Sequence, residues 1–403
     1  MWKTVKLGDI CDLQNGFAFK SSDYVDNSNT LNIRMSNIRP NGKFDESHNI
    51  KFLPDNYATK YAEYKLIEGD LIIAMTDMAG NPKILGMPTI VKNLDGRAFL
   101  LNQRVGKLHK FSDEIFVPYL CHFLSTLKNF YKNKGAGGLQ INISKKDILS
   151  AKIRLPPLAE QQRIVAKLDA AFAEIDGAIE VVKNKMIEIS SLYENSITAE
   201  FINIDGCVEK KLSDVCEKIT DGTHQTPKYF EEGYIFLSSK NVTSRKIDWE
   251  NVRYIDESQH IQMQKRIAPR VGDVLLAKNG TTGVAAIVDR DVVFDIYVSL
   301  AWLRSRGDVL PEYLLEYVNS KMAREQFNIR TKGIGVPNLH LQEIREVVIR
   351  FPKDKEKQKI IVKKLKNIDD ACNSYKQLNE QKLQSLVSLK SAILAQELQS
   401  EAA

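Results

Sequence analysis

Apolar side chains recur at intervals of three and four residues in the segment that follows Pro157. The positions of this seam are Ile164, Leu168, Phe172, Ile175, Ile179, Val182, Met186, Ile189 and Tyr193. A mean spacing near 3.5 residues over about four heptads predicts one long amphipathic helix. A helix over residues 158–202 would be about 65 Å long at 1.5 Å per residue. It therefore needs another long helix against which to bury its apolar face.

A weaker seam of the same kind follows Pro352. Its positions are Ile361, Leu365, Ile368, Cys372, Tyr375, Leu383, Leu386 and Ile393. Asn379 occupies a position where an apolar residue is expected, so either it fixes the register of the helix pair or the seam shifts locally. The economical architecture is an antiparallel pair of the two helices within one chain. A parallel coiled coil between two chains is the alternative.

The segments before the two seams contain short apolar runs separated by turn-forming dipeptides. Runs such as Leu71–Met75 and Val284–Val288 have the length of strands. The dipeptides that signal turns are Asn41-Gly42, Asp95-Gly96, Asp221-Gly222 and Asn279-Gly280. Helical patterning appears at Pro118–Tyr131 and Pro311–Phe327, each with a proline near the helix start. We therefore predict an α+β domain of about 150 residues in each half.

The two halves of the chain are copies of each other. The matching pairs are Leu7–Cys11 with Leu212–Cys216, Ser36–Ile38 with Lys240–Val242, Gly69–Ala74 with Gly272–Ala277, Ile153–Pro156 with Ile349–Pro352, and Glu160-x-Gln162 with Glu356-x-Gln358. Because the pairs keep the same order along the chain, they indicate an internal duplication. We predict globular domains at 1–155 and 204–351, and spacer helices at 156–203 and 352–403.

Charge is unevenly distributed along a chain whose net charge is +6. Residues 1–155 carry 22 basic and 15 acidic side chains, whereas residues 204–351 carry 21 of each. A basic first domain is compatible with a polyanionic partner. The second domain is neutral, so any basic surface on it must be local.

The sequence lacks the motifs of the common enzymes. It has no P-loop, no nucleophile elbow, and no histidines or cysteines at metal-ligand spacing. Asp9, Asp70, Asp214 and Asp273 lie in matched turns, so we predict that they cap the backbone instead of acting in catalysis. We therefore expect no catalytic residue, metal or cofactor in this chain.

Two further features bear on the environment of the protein. Cys11 and Cys216 occupy matched positions and are predicted to be small, reduced core residues. No apolar stretch approaches the ~18 residues that span a bilayer, and the N-terminus lacks the apolar region of a signal peptide. A cytoplasmic protein without membrane association is expected.

Several loops combine hydrogen-bond donors, small residues and rings, which are the groups that bind base edges and phosphates. The candidates for DNA binding in the first domain are Asn15, Phe17, Arg34, Ser36, Asn37, Arg39, Thr76, Gln103, Arg104, Lys134, Gln140 and Asn142. Those in the second domain are Thr223, His224, Ser238, Ser239, Lys240, Asn241, Lys278, Asn279, Lys332 and Asn338. Matched loops stay polar while their residues differ, which favours two domains that recognise different sequences.

The junctions between globular and helical segments carry a family resemblance. Residues 155–169, LPPLAEQQRIVAKLD, and their degraded copy from Phe351 resemble the specificity subunit of type I restriction–modification enzymes. The matched Leu-x-Asp-hydrophobic-Cys and Gly-Asp-x-hydrophobic-hydrophobic-Ala pairs fit that family too. The resemblance covers nearly the whole chain. The second junction departs from it, because Lys353 and Asp354 stand where the first has Pro157 and Leu158.

The resemblance implies two target recognition domains separated by two long antiparallel coiled-coil helices, as an internal pseudo-two-fold repeat. Each domain would recognise one half of a split, asymmetric sequence in double-stranded DNA. Two methyltransferase (modification) subunits would dock on the helices and bring S-adenosylmethionine for adenine N6 methylation. Two restriction subunits would add translocation and cleavage that use ATP and Mg. The chain itself would be a non-catalytic subunit.

Two other interpretations stay open at this point. One is a structural scaffold, in which the paired helices hold two protein-binding domains that contact no nucleic acid. The neutral second domain favours this scaffold. The other is an enzyme of unknown motif, such as a nuclease with scattered carboxylates.

Overall fold

The computed structural model describes residues 2–92, 96–280, 282–330 and 338–398. The chain forms two compact units, Met1–Val181 with Lys382–Ala403 and Val182–Gln381. Each unit combines one globular domain with a part of each long helix. The units therefore do not coincide with the four consecutive segments expected from the sequence, because the ends of both helices pack against the domains.

The described residues of the first half form twelve short strands and five α-helices. The strands are β1 (Lys3–Lys6), β2 (Asp12–Asn15), β3 (Thr30–Ile33), β4 (Phe52–Leu53), β5 (Lys65–Leu66), β6 (Leu71–Ala74), β7 (Thr76–Met78), β8 (Pro88–Ile90), β9 (Ala98–Leu101), β10 (Val105–His109), β11 (Gln140–Asn142) and β12 (Lys152–Leu155). The helices are α1 (Tyr57–Lys60), α2 (Val117–Ser125), α3 (Lys128–Lys134), α4 (Lys145–Leu149) and α5 (Leu158–Ile202).

The second half repeats this order with fewer strands among its described residues. The strands are β13 (Cys207–Lys211), β14 (Cys216–Asp221), β15 (Tyr234–Leu237), β16 (Arg253–Ile255), β17 (Val274–Ala277), β18 (Ala285–Ile287), β19 (Phe294–Ile296), β20 (Leu300–Ser305) and β21 (Val348–Pro352). The helices are α6 (Leu212–Val215), α7 (Glu257–Gln264), α8 (Pro311–Val318), α9 (Lys321–Arg330), α10 (Leu341–Arg345) and α11 (Lys355–Leu398).

The sheets of the two domains have matching topology. One antiparallel sheet has the order β2-β10-β6-β8 in the first domain and β14-β20-β17-β18 in the second. Another contains a parallel pair, β3 with β9 in the first domain and β15 with β19 in the second. The first and last strands of each domain, β1 with β12 and β13 with β21, pair antiparallel. The predicted α+β class and the duplication are confirmed.

The central strand of each domain explains the continuous apolar runs in the sequence. All four residues of β6 are buried. Leu71 and Ile73 face a core formed with helices, whereas Ile72 and Ala74 face a core formed with the second sheet. In β17, Val274 and Leu276 alternate in the same way with their neighbours. Because both faces of these strands are covered, no alternation of apolar and polar residues survives in the sequence.

The two long helices pair antiparallel in each unit. In the first unit, Lys167 Nζ lies 2.7 Å from Glu397 Oε1. Farther along α5, Asp176 Oδ1 lies 2.9 Å from Nζ of Lys390, which comes earlier in α11. Residue numbers therefore increase along α5 in the direction in which they decrease along α11. The intramolecular antiparallel prediction is confirmed for this unit.

The second unit shows the same direction of pairing. Tyr193 Oη donates to Asp369 Oδ1 at 2.8 Å, and Lys364 Nζ lies 3.3 Å from Glu200 Oε2. The residues of the predicted seam lie along the interface between the two helices. Its fully buried members in both units are Ile164, Leu168, Ile175, Val182, Ile361 and Leu365, and its half-buried members are Phe172, Ile179, Met186, Ile189, Ile368 and Leu386.

Asn379 is an interior position of the weaker seam. Its side chain is 6% exposed, and its amide Nδ2 donates to the carbonyl of Tyr375 at 2.8 Å. The helix itself therefore satisfies this buried polar group. Tyr375, one turn earlier, is 40% exposed, so the seam is interrupted there before it continues.

The four matched aspartates cap the backbone, as predicted. In each case a carboxylate oxygen accepts a hydrogen bond from the backbone N–H three residues earlier. The pairs are Lys6 with Asp9 at 3.1 Å, Ile67 with Asp70 at 2.8 Å, Lys211 with Asp214 at 3.3 Å, and Arg270 with Asp273 at 2.8 Å. The matched cysteines are also as predicted: Cys11 and Cys216 are buried, and burial raises the pKa of each thiol to about 12.

The turn prediction holds at two dipeptides and is wrong at a third. Gly42 and Gly280 both adopt a positive φ of 77°, which a glycine turn requires. Asp221-Gly222 is not a turn, because Asp221 ends β14 and the chain continues extended. Asp95 lies outside the described residues. Each predicted helix at 118–131 and 311–327 is two helices, broken after Ser125 and after Val318.

A buried glutamine joins the start of α5 to the first domain. The side chain of Gln161 has no exposure. Its Oε1 accepts from the backbone N–H of Phe116, and its Nε2 donates to the carbonyls of Glu114 and Pro156, each at 2.8 Å. One amide therefore satisfies three backbone groups at the base of the helix.

Gln358 makes the equivalent three bonds at the start of α11. Its Oε1 accepts from Leu310 N at 2.8 Å, and its Nε2 donates to Asp308 O and Pro352 O at 2.9 and 2.8 Å. The structural equivalent of Gln358 is thus Gln161. The sequence comparison paired it with Gln162, which is one residue out of register and exposed.

We expect the Gln161→Leu variant to lower the free energy of unfolding by about 3 kcal/mol, because three buried backbone groups lose their partner. Equilibrium unfolding in denaturant measures this difference. Gln162→Leu is the matched control, and as an exposed change it should stay within about 0.5 kcal/mol. Equal stability of the two variants would show that the buried amide does not secure the junction.

Candidate nucleic-acid interface

The loop after β2 is fixed by close contact with the end of β9. Phe17 N donates to Leu101 O at 2.9 Å, and Gln103 N donates to Phe17 O at 2.9 Å. A Cβ on Gly16 would lie 2.2 Å from the carbonyl oxygen of Asn102, so only glycine fits. The backbone of this candidate loop is therefore held rigidly by the scaffold.

The loop after β14 has the same geometry. Thr223 N donates to Ile296 O at 3.1 Å, and Val298 N donates to Thr223 O at 2.9 Å. A Cβ on Gly222 would lie 1.9 Å from Ile296 O. Thr223 thus occupies the position that Phe17 occupies in the first domain.

The side chains at this matched position differ in their surroundings. The ring of Phe17 belongs to an aromatic cluster, with centroids 4.6 Å from Tyr61, 5.4 Å from Tyr64 and 5.1 Å from Phe19. Phe17 therefore packs within the domain, which leaves less of its ring for stacking on a base. Thr223 has no such cluster and lines an open pocket.

Asn37 and Asn241 are interior residues, contrary to their assignment to a DNA-binding surface. Asn37 Oδ1 accepts from Arg34 N at 2.8 Å, and its Nδ2 donates to the carbonyl of Asp45 at 2.9 Å. Asn241 Oδ1 accepts in the same way from Ser238 N at 2.9 Å. The hydrogen bonds of both side chains stabilise their own loops. This geometry argues against direct contact of either side chain with DNA.

The remaining candidates vary in exposure. The exposed ones are Asn15, Gln103, Lys134, Asn142, His224 and Lys240. The half-buried ones are Arg34, Ser36, Arg39, Arg104, Gln140, Thr223, Ser238, Ser239, Asn279 and Asn338. Thr76 and Lys278 are buried, and Lys332 lies outside the described residues.

The structure brings some of these candidates together. Thr76 Oγ1 donates to Asn142 Oδ1 at 2.6 Å, because β7 and β11 pair antiparallel. Gln140 lies on the same short strand as Asn142. In the second domain, Asn279 and Asn338 form the corresponding isolated bridge. Strand pairing therefore joins loops that are distant in sequence.

Asp221 is the centre of a charged cluster in the second domain. Its side chain is 3% exposed, and Lys278 Nζ lies 2.5 Å from Oδ2. Arg266 Nη2 and His224 Nε2 lie 2.8 and 3.2 Å from Oδ1. Burial alone raises the pKa of Asp221, but the hydrogen bonds and charges of Lys278 and His224 hold that pKa below its usual value.

Lys278 was assigned to a DNA-binding loop, and its geometry argues against that role. The Lys278 side chain is 8% exposed, and its ammonium group is paired with a buried carboxylate. Breaking such a pair would leave an unpaired buried charge. Lys278 therefore stabilises the loop that carries His224. Arg266, absent from the sequence-based set, reaches the same carboxylate from beyond α7, and no motif in the sequence signals it.

Metal-binding clusters and membrane-spanning helices are both absent from the described part of the chain. No group of three or more His, Cys, Asp and Glu side chains there is placed to hold a metal ion. No helix among these residues is long and apolar enough to cross a membrane.

The fold and loops define a duplicated recognition protein, in which two copies of one α+β domain share a backbone and present different polar side chains. The family described as the type I restriction modification DNA specificity domain matches residues 1–189 and 204–385. Because these matches cover most of the chain and fall once in each half, the chain belongs to this family.

Curated relatives agree with this family. The chain is similar to the type I restriction enzyme EcoKI specificity subunit of Escherichia coli K12, with 24% identity over 389 residues, covering 89% of this chain and 80% of that protein. It is 30% identical over 194 residues to the MjaVIII specificity subunit of Methanocaldococcus jannaschii, covering 47% of this chain and 42% of that protein.

Solved structures show the same fold. A chain from a structure on complex assembly and conformational transition of the type I R-M system has a TM-score of 0.73 at 20% identity, over 98% of this chain and 97% of that chain. The HsdS subunit from Thermoanaerobacter tengcongensis has a TM-score of 0.54 at 20% identity, over 99% of this chain and 97% of that one.

Proposed function

We propose that the chain gives a type I restriction–modification complex its DNA specificity by recognising a split, asymmetric sequence, one half in each domain. The observation that carries this proposal is one backbone with unlike side chains at matched loop positions, such as Phe17 and Thr223. A common frame lets each domain approach DNA in the same way. Different side chains then select different bases.

The proposal includes the partners of the chain. Two methyltransferase subunits would dock on the paired helices and bring S-adenosylmethionine for adenine N6 methylation. Two restriction subunits would supply translocation and cleavage driven by ATP and Mg. Support comes from the family and from the curated relatives, which are named as specificity subunits of type I restriction enzymes. This chain would contribute DNA binding and positioning, and would itself catalyse no step.

We expect the full chain, expressed with its modification subunits, to methylate a bipartite sequence with a fixed gap. Sequencing that detects N6-methyladenine across a host genome measures this. The same host with the modification subunits alone is the control, and it should show no motif. Methylation at an uninterrupted motif, or at none, would contradict the proposal.

A further inference from the structure

The second domain has a pocket where the first domain has its aromatic cluster. The pocket has a volume of about 420 Å³ and lies between residues 222–227 and helix α7. We call it the α7 pocket. Its walls include Gln262, Met263 and Arg266, and its inner surface includes Asp295. The volume falls within the range of about 300–1,000 Å³ that is typical of ligand pockets.

The strand register shows that the two places are equivalent. Leu101 O and Ile296 O accept the matching backbone bonds from Phe17 and Thr223. Leu100, the residue before Leu101, is therefore the counterpart of Asp295. Leu100 packs in the apolar cluster with Phe19, and the rings of Phe17, Tyr57 and Tyr61 pack against that cluster. The same place thus holds packed rings in one domain and a pocket with both polar and apolar walls in the other.

The inner surface of the α7 pocket includes one buried polar group that is held in place. Asp295 is 2% exposed, and its Oδ2 lies 2.7 Å from His260 Nδ1. Gln264 Nε2 donates to Asp295 Oδ1 at 3.0 Å. The ring of Tyr234 stacks on His260 with the centroids 3.8 Å apart. A buried carboxylate in place of a leucine is costly unless it is hydrogen-bonded, so these partners are needed to keep it there.

Asp221 fixes the rim of the pocket. Arg266 Nε donates to the carbonyl of Asp221 at 3.2 Å, while Nη2 donates to its carboxylate at 2.8 Å. His224 approaches the same carboxylate from the loop side. Asp221 therefore holds both the arginine and the histidine at the pocket. Both side chains remain about half exposed or more, at 49% and 64%.

One rim side chain is available for a ligand. The amide of Gln259 is taken by both backbone groups of Lys228, at 2.9 and 3.1 Å. Gln262, one turn along α7, is exposed, and its side-chain amide has no hydrogen-bond partner among the described residues. A glutamine amide offers a donor and an acceptor side by side, which matches the paired edge groups of adenine.

We propose that the α7 pocket is the base-recognition site of the second domain, with Gln262, His224 and Arg266 contacting base edges of the second half-site. This inference rests on the proposed function and adds residues to it. Base edges carry paired donors and acceptors, and glutamine and arginine are side chains that bind them. The first domain has rings at this place, so it uses other residues, and the two domains differ in how they recognise DNA.

The test uses the full chain with its modification subunits and maps the methylated motif. The variants are Gln262→Glu, which keeps the size of the side chain and removes its donor, and His224→Ala. We expect discrimination at one or two base pairs of the second half to change about tenfold or more, while the first half stays the same. Lys265→Ala, on the turn after α7 and outside the pocket lining, is the control and should leave the motif unchanged.

The outcomes separate this inference from the proposed function. A normal split motif for the wild-type chain, kept in full by both variants, would overturn the inference and leave the proposed function standing. A uniform loss of methylation on all sequences would also overturn it, because that is the signature of phosphate contacts. A wild-type chain without a split motif would overturn the proposed function itself. Thermal unfolding measures the stability of each variant. Because the replaced residues are exposed, we expect each variant to be about as stable as the wild type.

Discussion

Replacing Gly222 by alanine should lower the free energy of unfolding of the second domain by about 3 kcal/mol or more. The new Cβ would lie 1.9 Å from the carbonyl oxygen of Ile296 and 2.7 Å from the carbonyl carbon of Tyr297. The nearest atoms all belong to the backbone of Ile296 and Tyr297, so no flexible side chain can move away to make room. Relief requires breaking the Thr223–Ile296 hydrogen bond, which positions the loop. Gly16→Ala should act in the same way on the first domain.

Denaturant unfolding followed by domain-specific fluorescence measures these changes. Trp249 and Trp302 report on the second domain, and Trp2 reports on the first. Gly177→Ala is a control that should change the stability in the opposite direction, because Gly177 lies within α5 with open space around it. Alanine should stabilise that helix by about 0.5–1 kcal/mol. If Gly222→Ala matched the wild-type stability, the close contact described here would be absent from the folded protein.

Lengthening both long helices by one heptad should lower the rate of methylation of the original target by about 100-fold or more. Seven residues extend a helix by about 10 Å, which equals about three base pairs of DNA. The insertions belong between Asp176 and Tyr193 in α5 and between Asp369 and Lys390 in α11, since these residues mark antiparallel pairing. If the helices set the gap, the two half-sequences can be methylated only at another spacing.

Mapping of the methylated motif measures this result. The control replaces seven residues of each helix by the inserted sequence without changing the length, and it should keep the original gap. Methylation of the original target by the lengthened chain would show that the helices do not set the spacing.

The helices and the duplication were predictable because they depend on patterns that recur along the chain. The heptad spacing from Ile164 to Ile189 fixes which face of α5 is buried. Matched aspartates such as Asp70 and Asp273 keep a local role, capping a backbone group three residues away. Features that depend on neighbouring residues or on a long repeat can be predicted without knowing the tertiary contacts.

The sequence-based predictions failed at residues whose role is determined by tertiary contacts. The dipeptide Asp221-Gly222 has the composition of a turn, yet the glycine is required by a strand that is distant in sequence. Lys278 looks like a phosphate-binding residue until Asp221 is placed beside it. The Glu-x-Gln match put Gln162 in place of Gln161, because two adjacent glutamines are indistinguishable without the backbone groups that one of them binds.

The sequence predicted polar loops as candidates for DNA binding, and it only partly separated their surface residues from their interior residues. Asn37 and Asn241 are strongly polar and equally buried, since a loop must satisfy its own backbone before it can present side chains. Gln262 and Arg266 were not among the sequence-based candidates, because neither helix α7 nor the turn after it carries a motif. The contrast with the aromatic cluster of the first domain becomes visible only when strand registers are compared.

The central claim is that each domain recognises one half of the target independently. Its most direct test replaces residues 1–155 with the first domain of another family member and maps the sequence methylated by the hybrid complex. We expect the hybrid complex to methylate a new first half joined to an unchanged second half, across the same gap. A change in both halves, or in neither, would contradict it.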